Sequence, residues 1–137
     1  MRLLPYVDGL VLALLRGALP STVTVETELS DPLRRTPYVF VDLVGGEEVD
    51  PRFLGVPRVD VDCFTSTGGK QAAADLAEHV RVVLFRAWED QKVTPHGHLA
   101  SFRTLTYPHE IRTAGQPGEV YRFTAAYELG VRPPRSI

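Results

Sequence analysis

Cysteine is almost absent from this sequence: Cys63 is the only one in 137 residues. A lone cysteine forms no intrachain disulfide framework, so nothing in the chain demands an oxidising compartment. Long apolar runs are missing as well. None approaches the roughly 20 residues of a membrane helix. The apolar stretch Leu10–Leu15 follows Arg2 but is bounded by Asp8 and Arg16, and no small-x-small cleavage site follows it, so a secretory leader is not expected. Charge of one sign is lacking too. The 15 basic and 17 acidic residues leave a formal net charge of −2, which gives no overall field to draw nucleic acid to the surface. Repeats and low-complexity segments are not found.

What remains is the composition of an ordinary globular domain. Hydrophobic residues make up 44% and charged residues 23%, so disorder is not the default. A single domain of this length buries roughly two-thirds of its unfolded surface and needs no staples.

Apolar spacing predicts a helix over Val7–Ala18, with Leu10, Val11, Leu14 and Leu15 recurring at helical intervals between Pro5 and Pro20. A short strand is expected over Val23–Glu26 and a longer one over Tyr38–Val44. Arg58–Phe64 alternates strictly, placing Val59, Val61 and Cys63 on one face and Asp60 and Asp62 on the other. Between these two strands, Gly45–Gly55 reads as a long, acid-rich hairpin loop. The second helix is expected over Lys70–Trp88, capped by Ser66 or Thr67, with Ala73, Leu76, Ala77, Val80, Leu84 and Ala87 on one stripe and Phe85 nearly opposite. Two further strands follow, Leu99–Tyr107 and Val120–Val131, with residues 131–137 an extended C-terminal tail. The order predicts one α/β (α+β) domain over residues 1–137: a mostly antiparallel sheet with two helices packed on one face.

Candidate chemistry is thin. Gly68-Gly69-Lys70 stands between a strand and a helix, as a phosphate loop would. The full motif needs glycine where the chain has Phe64, and Ser or Thr where it has Gln71. His96 and His98 flank Gly97, but nothing in the spacing supplies a third metal ligand. Asp60 and Asp62 share a strand face without a partner for acid–base work. Cys63 alternates with core valines and reads as a packed thiol, not a nucleophile. No serine lies in a nucleophile elbow. No catalytic residue, cofactor or metal site is therefore expected.

Several residues instead point to contacts between chains. Val49, Arg52, Phe53 and Leu54 sit in the expected hairpin loop, where apolar side chains need something to touch. Phe85 and Trp88 fall on or beside the outer side of the second helix. Arg132, Pro133, Pro134 and Arg135 form an extended segment suited to lying along a neighbour.

In their order along the chain, the first helix, the strand TPYVFVDLVGG, the strand PRVDVDCF leading into AAADLAEHVRVVL, and the closing strand YRFTAAYELGVRP resemble the tail terminator proteins of long-tailed, siphovirus-type bacteriophages, especially those infecting actinobacteria. The resemblance spans most of the chain. It implies a structural protein of the virion, assembled in the host cytoplasm. Six copies would form a ring that caps the tail tube, stops its polymerisation and joins it to the head-closure or neck proteins. Genomic DNA would pass through the channel without being read, and no membrane would be involved. A head-closure or head–tail connector protein of similar size is the alternative. A small bacterial enzyme or ligand-binding domain is a more distant one.

Overall fold

In a computed structural model, residues 2–112 and 118–134 are described. The elements run α1 (Val7–Ala18), β1 (Thr24–Glu26), β2 (Tyr38–Asp50), β3 (Leu54–Thr65), α2 (Gly69–Glu89), β4 (His98–Ile111) and β5 (Tyr121–Arg132). The five strands form one sheet in the order β1-β2-β3-β5-β4. Only the β1–β2 pairing is parallel, and the other three are antiparallel. The α+β class read from the sequence is the one observed. Among the described residues no helix is long and apolar enough to cross a membrane.

Both helices form where their apolar periodicity places them. α1 buries Leu10, Val11, Leu14 and Leu15. Pro20 follows, and the Leu19 N–H donates to Leu15 O at 2.8 Å to close the last turn. α2 buries the stripe Ala73, Leu76, Ala77, Val80, Leu84 and Ala87. Its start differs from expectation. The cap is Gly68 at φ 91°, with no side-chain cap bond, and the Ser66 hydroxyl is instead hydrogen-bonded to the Thr36 hydroxyl. Glycine suits the left-handed backbone there.

The core lies between the helices and one face of the sheet. Val39 and Val41 of β2, Val59, Val61 and Cys63 of β3, and Ala125, Tyr127, Leu129 and Val131 of β5 join both helices in a single cluster. Each Val or Leu placed there contributes roughly 1.5–3 kcal/mol. The opposite face carries no helix. It holds charge pairs, Arg122–Asp62 at 2.8 Å, Arg58–Asp60 at 3.3 Å and Arg103–Glu128 at 3.6 Å. A small knot of Tyr38, Phe64 and Val120 sits apart from the main core. Asp60 and Asp62 thus share the face away from the helices, each with an arginine beside it.

Two boundaries need correction. Gly45–Gly55 is not a long loop. β2 continues to Asp50 and β3 begins at Leu54, so the connection is only the turn Pro51–Phe53. The glycines that read as a break are a bulge. Gly45 (φ 98°) and Gly46 (φ 135°) let β2 shift register between Leu43 and Gly46 and then pair again, Gly46 with Pro57 and Glu47 with Val56. A Cβ at Gly46 would run into the backbone at Val56 and Pro57. The C-terminal tail also starts later than residue 131. Val131 is buried and paired with Gly55 and Leu99, and Arg132 is paired with His98, so β5 runs through Arg132 and the described chain leaves the sheet at Pro133.

Val80 and Leu84 are fully buried at the centre of the α2 stripe. Leu84→Ala should lower unfolding stability by about 2–5 kcal/mol, measured by chemical denaturation. A loss below about 0.5 kcal/mol, the range of surface substitutions, would mean that this stripe does not anchor the sheet.

Candidate subunit interface

The residues that suggested chemistry are not assembled for it. Gly68 and Gly69 form a helix start and nothing more of a phosphate loop. The ring of His96 lies against Gly9 and meets Tyr6 edge-on with centroids 6.1 Å apart, while His98 opens β4. Each histidine therefore serves a different part of the fold. Among the described residues no group of three His, Cys, Asp or Glu side chains could hold a metal ion. The Cys63 thiol is buried, and burial pushes its pKa up, with Asp62 adding to the effect. A thiol held protonated in this way is a poor nucleophile.

The β2–β3 turn is built by Asp50. Its carboxylate accepts the Arg52 backbone N–H at 2.8 Å and the Arg52 guanidinium at 3.2 Å. These bonds hold the Asp50 carboxyl below the usual carboxylate range. The turn presents Val49, 64% exposed, and Phe53, 44% exposed. Arg52 is exposed and Leu54 half-buried.

Strand order then brings the C-terminal segment to the same place. Because Gly55 pairs with Val131, Arg132 emerges beside the turn, and its guanidinium lies 5.9 Å from the centroid of the Phe53 ring. Arg52 approaches the same ring at 5.8 Å. Cations at these distances favour the ring face. Phe53, His98, Gln91, Arg132, Pro133 and Pro134 line one shallow cleft. Arg132 and Pro133 are half-buried and Pro134 is exposed, while Arg135 lies outside the described residues. The hairpin turn and the tail, separate in sequence, make one surface.

Phe85 and Trp88 do not behave as the sequence suggested. Phe85 is half-buried, edge-on to Trp88 at 5.9 Å and to Phe102 at 6.2 Å. Phe102 stacks on Tyr127 at 5.5 Å, which carries the aromatic contact into the core. The Trp88 indole N–H donates to Ala100 O at 3.1 Å. The sheet is wider than α2, so β4 meets the flank of the helix that periodicity assigns to solvent. These two aromatics are satisfied within their own chain. Sequence reading passed over Leu43 and Val44 on β2 and Leu105 and Tyr107 on β4, all exposed.

A family described as phage tail termination protein matches residues 3–137. The chain belongs to that family. Its match covers both helices and all five strands. The chain is also similar to one in a solved structure titled "Virion of native gene transfer agent (GTA) particle", with 16% identity, a TM-score of 0.48, and coverage of 91% of this chain and 86% of that one. No curated protein matches it. Membership makes this a structural tail protein of the virion.

Within this tail protein the two aromatic groups should separate on substitution. Phe53→Ala should leave the unfolding free energy of the isolated chain nearly unchanged, within about 0.5 kcal/mol. Trp88→Ala should lower stability by about 2 kcal/mol or more, since it removes a packed ring and its hydrogen bond. Equal effects from the two would remove the distinction drawn between turn and helix flank.

Proposed function

We propose that six copies of this chain form a ring that caps the tail tube, ends its polymerisation and provides the seat for the head-closure proteins, so that the ring lies at the head–tail junction. Family membership over residues 3–137 carries the proposal. The joint surface of hairpin turn and tail supports it, because Val49, Phe53 and Pro134 are apolar and uncovered. A ring of identical chains needs two different patches that meet by rotation, and a closed ring leaves none free for growth. An end cap also needs unlike ends, one fitting the tube and one fitting the neck. A domain with the hairpin turn at one end of its sheet and the Tyr38–Phe64–Val120 knot away from it has such ends.

The activity proposed is assembly alone, with no reaction catalysed. DNA would pass the ring unread. The helix-free sheet face interleaves Arg58, Arg103 and Arg122 with Asp60, Asp62 and Glu128, and so lacks the continuous basic stripe by which proteins hold a phosphate backbone.

Native mass measurement of the purified full chain should give six times the 15.2 kDa monomer mass. Removing residues 133–137, which leaves β5 intact, should weaken ring formation while preserving the fold. Particles assembled without the protein should carry tails of irregular, extended length. A stable monomer, together with tails of normal length in its absence, would overturn the proposal.

A further inference from the structure

The sheet ends in two open edges of different kinds. In the order β1-β2-β3-β5-β4, no strand among the described residues pairs with the outer side of β4. At the other end β1 reaches only Tyr38–Phe40 of β2, so the outer side of β2 from Val41 to Asp50 also lacks a strand partner. Open edges invite pairing with another chain, and proteins that must stay apart defend them with charge, proline or a covering segment. On β4 the defences are sparse, while the β2 edge carries four carboxylates, which keep it from another β2 but not from an edge without acids. β4 reaches its proline only at Pro108, and between His98 and Tyr107 its single full charge is Arg103. Both edges display large apolar side chains: Leu43 and Val44 are 44% and 42% exposed on β2, and Leu105 and Tyr107 are 36% and 65% exposed on β4.

We propose that neighbouring copies join edge to edge, the outer side of β4 in one chain pairing antiparallel with the outer side of β2 in the next, so that the ring is one continuous sheet. The inference rests on the ring reading and specifies its interface. Three observations carry it beyond the mere presence of open edges. The first is direction. β2, β3, β5 and β4 alternate along the sheet, so a copy placed beside this one by rotation about an axis along the strands sets its β2 antiparallel to β4.

The second is level. Leu43 pairs with Val59, Val59 with Tyr127, and Tyr127 with Thr104. Glu48 pairs with Gly55, Gly55 with Val131, and Val131 with Leu99. The apolar part of the β2 edge thus lies at the height of Arg103–Leu105, and its acidic part at the height of Leu99, next to His98. The third is charge. β2 carries Asp42, Glu47, Glu48 and Asp50 and no cation, while β4 between His98 and Tyr107 carries Arg103 and no acid, its one acid Glu110 lying beyond. Opposite charges on the two edges favour this pairing and disfavour β2 meeting another β2. The two edges are unlike patches, which is what a closed rotational ring requires.

Cysteine pairs test this directly in the full chain, since Cys63 is buried and leaves the background silent. Leu43→Cys is combined in turn with Phe102→Cys, Thr104→Cys and Tyr107→Cys, which lie on the same helix-facing side of the sheet as Leu43 and allow for a stagger of a few residues. After mild oxidation, at least one combination should give a denaturing-gel ladder of covalent multimers up to six chains. In the unmodified chain, hydrogen exchange at the backbone amides of 41–50 and 101–107 should slow on ring formation by tenfold or more. A ring by native mass with no ladder from any combination and no added protection would overturn edge pairing and leave the ring standing. Failure of the unmodified chain to form a ring would overturn both.

Discussion

One face of the sheet is given over to α2 and α1, and the rest of the molecule follows from that. A strand offers its side chains alternately to two sides. With Val39, Val41, Val59, Val61, Ala125, Tyr127 and Leu129 all turned to the helices, the residues between them must be compatible with water. Among the intervening residues, Arg58 pairs with Asp60 along β3 and Arg122 with Asp62 across β3 and β5, which keeps that face hydrated. The apolar residues that do not fit this division, Val49 and Phe53 at the turn and Leu43, Val44, Leu105 and Tyr107 along the edges, are where the structure departs from a self-sufficient monomer.

The same division accounts for where the residues that suggested chemistry lie among the described residues. Its one thiol is committed to the core, its paired aspartates each have an arginine beside them, and His96 packs against Gly9 and Tyr6. Exposed apolar surface at the turn, the tail and the edges suits repeated protein contacts. The tube capping proposed above would require such contacts at fixed angles, which a sheet under two helices can hold.

The helices and the core stripe were legible in the sequence because their periodicity is long and the ends of α1 are marked by Pro5 and Pro20; the α2 cap, expected at Ser66 or Thr67, is Gly68. The α+β class followed from element order. The extended hairpin was not legible. Past Leu43, β2 is exposed at nearly every residue, so alternation vanishes, and Gly45–Gly46 imitates a turn while acting as a bulge. The end of β5 was hidden because Val131-Arg132 runs directly into Pro133. Phe85 was misread because helical periodicity describes a helix against a flat floor and does not register a strand rising along its flank. Of the candidate surface, the joining of turn and tail depends on the β3–β5 pairing, a long-range fact that no local pattern contains. The open edges depend on strand order in the same way.

Imaging of assembled particles by electron cryomicroscopy tests the central claim most directly. The account predicts a single ring of six copies of this chain at the head-proximal end of the tail tube, each copy's β4 beside the next copy's β2. Density for the chain at the distal tip, or repeated along the length of the tube, would contradict it.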